Sequence, residues 1–473
     1  MKRKKLIVVM ALLLSISSGY TSVFANTSVN VSNVQLEAEY AKPEGSITLW
    51  ENPRGTNYNR IPAITTTNDG TLLAINDLRY NNASDLGNHR IDLLLKKSLD
   101  NGKSWSEEIN LTEKYTKDQT EDSFAYGYGD AAIVSDRDSD NILILAASGT
   151  PNFWHGDSRF ISTRENPVNV GKITSKDGGK TFTVEENLTD EIYGLNQNWT
   201  RLFAASGRIM QSRYIKVGEY SRIYTAVLTG NGNSNAGNYV LYSDDFGDTW
   251  NVLGDGTSPV PAGDEAKIEE LPNGNVVISS RTDKGRLINI FTYDKSNGKY
   301  STGKWESTSK KLSLGNGSSC NGEIMIVYVR DKETGEYTHL ALQSLPTLDG
   351  TRKGVGIYFK EVDKNIETVD QYIEGWSQDN FYMIQEKESA YSTMALQKDG
   401  SIGFLYEDRL RSGYDGQFLN LDIETITNNK YEIAFEGIGT KECPYLVETE
   451  EQFNAVKGVY SKERVNFLYS IEK

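Results

Sequence analysis

The sequence has 473 residues, of which 37% are hydrophobic, and a formal net charge of -15. This length allows one large domain or a few smaller ones, each with a sizeable core. The acidic balance argues against nucleic acid as a partner, because nucleic-acid binding calls for a basic surface. An anionic substrate would require a local cluster of arginines that overcomes the acidic background.

The first 25 residues have the pattern of a secretory signal peptide. A basic start at residues 2–5 precedes the apolar residues 6–14, and Val23-Phe24-Ala25 offers small residues for a signal peptidase. The apolar stretch is too short to span a bilayer, and no later run of about 18 apolar residues predicts a membrane anchor. We therefore expect a secreted protein with no membrane span, in which the polar residues 26–45 form a leader.

The cysteines and histidines predict neither a metal site nor a cofactor. Cys320 and Cys443 lie far apart in the sequence, so a disulfide between them is possible but is not predicted. The three histidines, His89, His155 and His339, lack metal-ligand spacing. Their scarcity also disfavours a serine–histidine triad, although one histidine would suffice for it.

From about Ser46 to about Thr427 the pattern is almost entirely that of β-strands. Short apolar or alternating runs are separated by Gly, Asn and Asp turns. Asp69-Gly70, Asn273-Gly274 and Asp399-Gly400 each lie between two such runs, which predicts three hairpins.

A short segment occurs three times within this region. Residues 98–105, 175–182 and 243–250 share the pattern Ser-x-Asp-x-Gly-x-Ser/Thr-aromatic. We interpret it as a self-contained turn, in which Asp and Ser side chains bond backbone amides and glycine takes a positive φ. Radial four-stranded blades of roughly 40–50 residues would accommodate such spacing if some blades lack the turn. About 380 residues leave room for six to eight blades.

After residue 428 the composition changes. Residues 435–453 are similar to the opening of the Gly-Thr…Pro-Tyr-x-Val/Ile repeats of bacterial cell-surface proteins. Residues 429–473 therefore form a short C-terminal extension, which we interpret as a cap, a linker or part of a surface-attachment module.

Polar residues that could take part in catalysis or ligand binding occur near the ends of the predicted hairpins. The first hairpin carries Arg60 and Arg79 and is followed by Asp85 in a polar loop, so it could hold an anion beside an acid. The alternative is a surface hairpin with solvated arginines. The other such residues are Asp130 before a strand, Glu265 and Arg281 on one hairpin, Arg352 in a loop, and Tyr391 and Glu407 on another hairpin.

With these polar residues in this order, the sequence resembles the bacterial sialidases, also called neuraminidases. The resemblance is carried by Arg60-Ile61-Pro62, by the three turns, which match that family's Asp-boxes, and by the order and spacing of the polar residues that follow. It implies an all-β, six-bladed β-propeller over residues 46–428.

The resemblance also implies roles for the polar residues. Three arginines, Arg60, Arg281 and Arg352, would clamp a substrate carboxylate, for which their rigid, permanently charged forks are suited. Glu407 would hold the first arginine in place. The remaining implied roles are nucleophile for Tyr391, its base for Glu265, and proton donor to the leaving group for Asp85.

Three further residues are implied to line the sugar pocket: Arg79, Asp130 and Trp154. They would face the 4-hydroxyl and N-acetyl region, although Trp154 could equally belong to the core. One stretch departs from the family, because His89-Arg90 differs from the residues expected there. Linkage or leaving-group preference could therefore differ.

We expect an exported, monomeric exo-α-sialidase that acts on sialylated glycans of glycoproteins, gangliosides and mucins. The resemblance implies retention of configuration through a covalent sialyl-tyrosine. A trans-sialidase or an intramolecular trans-sialidase would share every residue named above. A non-catalytic sialic-acid-binding propeller is the second alternative, but binding alone does not need Asp85, Glu265 and Tyr391 together. Association with the cell surface through residues 429–473 is left open.

Overall fold

Strands dominate this computed structural model, which describes residues 42–471 except 88, 154–160, 186, 205, 232–233, 296–299, 301, 316–318 and 411–412. The described residues all belong to one unit, Tyr40–Lys473. Within them, no helix combines the length and apolarity needed to cross a membrane.

The strands and helices are short and are bounded as follows. The strands are β1 (Ile47–Trp50), β2 (Tyr58–Thr66), β3 (Leu72–Arg79), β4 (Ile91–Ser98), β5 (Ile109–Asn110), β6 (Tyr128–Ser135), β7 (Ile142–Ser148), β8 (Asn169–Ser175), β9 (Thr183–Val184), β10 (Arg201–Ala204), β11 (Gly207–Arg208), β12 (Met210–Val217), β13 (Tyr220–Asn231), β14 (Ser234–Ser243), β15 (Asn251–Val252), β16 (Ala266–Glu270), β17 (Val276–Arg281), β18 (Arg286–Tyr293), β19 (Gly303–Trp305), β20 (Lys310–Leu312), β21 (Ile324–Asp331), β22 (Tyr337–Pro346), β23 (Lys353–Glu361), β24 (Phe381–Leu396), β25 (Ile402–Asp408), β26 (Asp415–Leu421), β27 (Tyr431–Ile433), β28 (Tyr445–Val447) and β29 (Phe467–Tyr469). The helices are α1 (Glu113–Thr116), α2 (Thr189–Gly194), α3 (Val369–Ile373), α4 (Ile423–Ile426) and α5 (Glu450–Gly458).

Successive strands form five sheets in chain order, in which β11 pairs with β6 in parallel and the other pairs are antiparallel. Four sheets are built on β2–β5, on β6–β9 with β11, on β10 with β12–β15, and on β16–β20. An eight-stranded sheet follows in the order β1-β26-β25-β24-β23-β22-β21-β27. The 16-residue β24 divides this sheet, because its first half pairs with β23 and its second half pairs with β25. The prediction of an all-β chain is confirmed.

The sheets pack face to face in a closed series, as the blades of a propeller do. Each interface is a cluster of buried aliphatic and aromatic side chains, five of them between consecutive sheets and one between the two halves of the eight-stranded sheet. Each cluster joins residues from both sides of its interface, such as Leu73 and Ile133, Leu145 and Val227, Tyr224 and Ile268, Ile288 and Ile326, Leu342 and Phe404, and Leu405 and Leu72. The series closes because β1 pairs with β26, so the first strand completes the last sheet.

The three Ser-x-Asp-x-Gly turns each link the last two strands of a sheet, and each has the same internal hydrogen bonds. In the first turn, Ser98 Oγ accepts from the amide of Gly102 at 2.8 Å. Asp100 accepts from the amide and the hydroxyl of Ser104 at 2.9 and 2.6 Å, and these bonds lower the pKa of Asp100 to about 2. The turns at 175–182 and 243–250 have the corresponding bonds at 2.6–2.9 Å. The turns therefore fix sheet edges and need no ligand.

The C-terminal residues pack against the sheets as an additional layer. β27 extends the eight-stranded sheet by pairing with β21, and α5 begins with a capping box between Thr449 and Gln452. Glu463, which follows α5, is almost fully buried: its carboxylate accepts from Tyr214 Oη at 2.9 Å and lies 2.9 Å from His339 Nε2. Burial raises the pKa of Glu463 to about 7 and lowers the pKa of His339 to about 3. A neutral pair is therefore favoured at mildly acidic pH.

This buried carboxyl predicts a pH-dependent effect of Glu463→Gln on stability. A raised folded-state pKa stabilises the fold below the unfolded value of about 4.5, and that stabilisation is lost as the pH rises to about 7. Glutamine lacks this ionisation, so the variant should gain about 1–3 kcal/mol on the wild type between pH 4.5 and 7. Urea denaturation of both proteins at several pH values measures the difference. Glu432→Gln alters a half-exposed surface pair and should give no such trend.

Candidate active site

A cavity of about 260 Å³ lies where the inner strands of several sheets begin or end. Six of the residues predicted from the sequence line it: Asp85, Asp130, Glu265, Arg281, Arg352 and Tyr391. The other lining residues are Leu86, Pro151, Asn152, Phe153, Val168, Phe203 and Asp264. The cavity thus has a charged floor and one apolar flank.

Tyr391, Glu265 and Arg281 form the central hydrogen-bonded group. The Tyr391 hydroxyl donates to Glu265 Oε2 at 2.7 Å, and Arg281 Nη1 contacts the same carboxylate oxygen at 2.6 Å and the Tyr391 oxygen at 2.9 Å. Burial and the neighbouring Glu265 raise the pKa of Tyr391 well above its usual range, although Arg281 opposes this. The phenol is therefore neutral at rest and is hydrogen-bonded to Glu265.

Arg60 is held by a buried carboxylate. Its Nε and Nη2 donate to the two oxygens of Glu407 at 2.7 and 3.2 Å. Glu407 also accepts from the backbone amides of Ile61 and Tyr391 at 2.8 and 3.2 Å. Burial raises the pKa of Glu407, but Arg60 and these hydrogen bonds outweigh burial. The pKa of Glu407 therefore lies below its usual range. Glu407 thus connects Arg60 to the backbone that carries Tyr391.

The third predicted arginine lies against the same tyrosine. The guanidinium carbon of Arg352 is 5.4 Å from the centroid of the Tyr391 ring, a cation–π arrangement. Burial and the positive charges of Arg281 and Arg60 lower the pKa of Arg352, but Cys320 and Tyr391 outweigh them and raise it on balance. The structure therefore brings all three arginines to one tyrosine: through its hydroxyl, its ring and its backbone.

Arg79 organises a second group of charges at the apolar flank. This fully buried guanidinium donates to Asp77 at 2.9 Å and to Asp85 at 2.5 Å, and lies 4.0 Å from Asp130. Burial raises the pKa of Asp77 to about 6, and burial with the nearby Asp77 raises the pKa of Asp130 well above its usual range. Three carboxyl groups thus share one cation, which favours a proton on the group.

Bulges in three inner strands aim the site residues. The pairing of β2 with β3 shifts between Arg60 and Ala63, and Ile61 has a φ of 57°. The pairing of β6 with β7 shifts next to Asp130, which has a φ of 55°. The pairing of β24 with β25 shifts between residues 389 and 392, on either side of Tyr391. A bulge turns a side chain out of the regular pleat, and two residues at these bulges, Asp130 and Tyr391, line the cavity.

Two site carboxylates were not among the sequence predictions. Asp264 lines the cavity, and its Oδ2 lies 3.2 Å from Arg281 Nε. Burial and Glu265 raise the pKa of Asp264 to about 6. Its position next to Glu265 was the available signal. Asp77 could have been found from its place two residues before Arg79, which puts both side chains on one face of β3.

Not all the predicted pocket residues can be placed. Trp154 lies outside the described residues, although its neighbours Asn152 and Phe153 line the cavity. The two atypical residues, His89 and Arg90, do not line it. His89 Nε2 is 3.1 Å from the carbonyl of Ser84, and Arg90 pairs with Asp92 at 2.5 Å. His89 thus supports the loop that carries Asp85.

Known proteins resemble this chain in both sequence and fold. No protein-family model matches it. The sialidase of Paraclostridium sordellii is 26% identical over 367 residues, covering 76% of this chain and 83% of the relative. A sialidase of Bacteroides fragilis is 27% identical over 359 residues, covering 74% of this chain and 59% of the relative. The crystal structure of an intramolecular trans-sialidase from Ruminococcus gnavus aligns with a TM-score of 0.61 at 16% identity, covering 81% of this chain and 99% of the other.

With these relatives, the propeller-like packing and the charged cavity define a glycoside hydrolase. Relatives at 26–27% identity carry the sequence evidence, and the solved structure supports the fold. In sequence the chain is similar to bacterial sialidases.

Proposed function

We propose that this protein is an exo-α-sialidase that removes terminal sialic acids from glycoproteins, gangliosides or mucins. The observation that carries the proposal is the Tyr391–Glu265–Arg281 group, joined by bonds of 2.6–2.9 Å at the wall of a cavity. We also infer that each half of the eight-stranded sheet is one blade, which makes six with the other four sheets. Export through residues 1–25 belongs to the same proposal.

The arginines would bind the carboxylate that distinguishes sialic acid from neutral sugars. Arg60, Arg281 and Arg352 all contact Tyr391 or the carboxylate that holds its backbone, so one small acid could reach all three. Partly buried guanidinium groups stay charged and bind carboxylates with paired hydrogen bonds. The apolar flank of Leu86, Phe153 and Phe203 suits the acyl part of the sugar.

The chemistry follows from the neutral tyrosine. The anomeric carbon of sialic acid carries a carboxylate, which would repel an anionic nucleophile. As the Tyr391 oxygen bonds to that carbon, Glu265 takes the phenol proton. The bond to the leaving sugar breaks, and Asp85 protonates its oxygen. Water, losing a proton to Asp85, then displaces Tyr391, which recovers its proton from Glu265. Two displacements give retention of configuration.

Asp85 lies on a loop at the cavity and is about half exposed, so a leaving group could reach it. We predict that Asp85→Asn lowers kcat/KM for sialyllactose by about 10²–10⁴-fold, the usual contribution of a general acid. An aryl sialoside, whose leaving group needs no proton, should lose much less. Steady-state kinetics on both substrates measures the ratio, and an equal loss on both would remove Asp85 from the acid role.

The product distinguishes hydrolysis from its alternatives. NMR of reactions with α2,3- and α2,6-sialyllactose should reveal free sialic acid, released first as the α-anomer. An anhydro product would instead identify an intramolecular trans-sialidase, and sialylated acceptor would identify a trans-sialidase. Chain length does not decide between them, because the trans-sialidase of Ruminococcus gnavus is covered over 99% of its length. Binding without any product would leave the non-catalytic alternative.

A further inference from the structure

A groove leads away from the proposed catalytic cavity, and two residues connect its parts. Pro151 lines that cavity and also a second cavity of about 130 Å³. Phe124 lines the second cavity and a third one of about 700 Å³. The two residues lie close together, because a Cβ atom at Gly149 would be 3.5 Å from both Pro151 Cδ and Phe124 Cα. The second and third cavities together form the outer groove.

The outer groove begins on the side of the catalytic cavity that holds Asp85. Asn152 Nδ2 donates to the carbonyl of Leu86 at 2.5 Å, and a Cβ atom at Gly87 would lie 3.0 Å from Asn152 Cβ. The loop that follows Asp85 therefore packs against the loop that contains Pro151. Since Asp85 is the proposed proton donor to the leaving sugar, that sugar lies next to Asp85, at the entrance to the outer groove.

Phe124 presents an exposed aromatic side chain in the outer groove. Its exposed fraction is 40%, and its ring contacts no other ring among the described residues. The turn around it is closed by backbone hydrogen bonds, from Ser123 to Thr120 and from Tyr126 to Ser123, both at 3.0 Å. These bonds do not involve the Phe124 side chain. One exposed apolar residue is common on a protein surface, but this one lies where two cavities meet and its ring is available to a ligand.

The chemistry around Phe124 suits a neutral sugar. A sugar ring has an apolar C–H face, which can pack on an aromatic ring, and hydroxyl groups, which need hydrogen-bond partners. The exposed side chains of Asp122 and Asn166 line the second cavity, and that of Gln119 lines the third. Carboxylates and amides supply the acceptors and donors that hydroxyl groups require. A lipid tail would instead need a continuous apolar lining.

We propose that the outer groove binds the neutral sugars of the glycan from which sialic acid is removed, and that Phe124 packs against one of them. The inference rests on the proposed sialidase function and deepens it, because it adds a binding site for the leaving part of the substrate. Sialylated oligosaccharides would then bind more tightly than sialosides whose leaving group contains no sugar.

The test compares Phe124→Ala with the wild type on an aryl sialoside, on sialyllactose and on a sialylated tetrasaccharide. Loss of the aromatic surface should raise KM about tenfold for at least the longer oligosaccharide while kcat stays the same. The aryl sialoside has no sugar to place in the outer groove, so its kinetics should not change. Phe124→Tyr keeps the ring and should restore the wild-type KM. An equal loss on all three substrates, or no loss on any, would overturn the inference.

A matched control is Ile109→Ala. The side chain of Ile109 is also 40% exposed, and it lines none of the three cavities. This variant should have wild-type kinetics on every substrate. If the wild type itself releases no sialic acid from any of them, the proposed function fails. If the wild type is active and Phe124→Ala equals it on both oligosaccharides, only the role of the outer groove fails.

Discussion

Tyr391→Phe should lower kcat/KM for sialyllactose by at least about 10³-fold while leaving sialic-acid binding nearly intact, because the change removes only the attacking oxygen. The phenylalanine ring keeps its place beside Arg352, and the backbone amide still donates to Glu407. Glu265 and Arg281 remain bonded to each other at 2.6 Å. Kinetics, with calorimetric titration of a non-hydrolysed sialic-acid analogue, separates the two effects.

The matched control is Tyr431→Phe. Tyr431 also donates its hydroxyl to a glutamate, Glu361 at 2.8 Å, but both residues lie outside the cavity. Its loss should leave kcat/KM unchanged. Wild-type turnover by Tyr391→Phe would contradict a tyrosine nucleophile, and an equal loss of turnover and of analogue binding would assign Tyr391 to the binding of the sugar only.

The hairpins of this fold were predictable because their signals are local. Each of the three predicted turns joins two paired strands, and Gly70, Gly274 and Gly400 have φ values of 80–85°. Glycine adopts that conformation at little cost, so a two-residue signal is enough. The strands β3, β7 and β17 were likewise predictable, because each begins with a continuous apolar run.

The bulges that aim the site were not predictable from local sequence. Ile61 and Asp130 have positive φ values without being glycine, and a β-branched residue is especially disfavoured there. Tertiary contacts stabilise both conformations: the amide of Ile61 donates to Glu407, and the amide of Asp130 donates to Asp77. Glu407 lies 346 positions from Ile61 in the chain, so the residues around Ile61 give no sign of this contact.

The site arginines show the same limit. Taken alone, Arg281 has no local feature that separates it from Arg330, which forms a half-exposed surface pair. Family resemblance singled it out, and the structure then placed it beside Glu265 and Tyr391. Asp264 was not predicted from the sequence, although it contacts the same guanidinium. The role of Asp264 depends on its contact with Arg281, and only the folded chain brings these two residues together.

Arg281→Met should weaken binding and lower turnover together, in contrast to Tyr391→Phe. The arginine is bonded to Glu265 at 2.6 Å, to Tyr391 at 2.9 Å and to Ser319 at 3.0 Å, and it pairs with Asp264 at 3.2 Å. Its removal leaves two adjacent buried carboxyl groups without this cation and takes away one contact to the substrate acid. Truncating one partner of a buried charge pair costs about 2–5 kcal/mol, so we expect kcat/KM to fall by about 30- to 4,000-fold.

The acidic limb of the pH dependence of kcat/KM should also move to higher pH in this variant, since the positive charge that lowers the pKa of the buried Asp264 is gone. Arg330→Met is the control, because it removes an arginine bonded to Glu432 at 2.8 Å outside the cavity and should leave kinetics unchanged. If Arg281→Met keeps its affinity for the sialic-acid analogue, the substrate acid does not bind at this arginine. The carboxylate clamp would then have to be reassigned to Arg60 and Arg352, the two cations that do not contact Glu265 through hydrogen bonds.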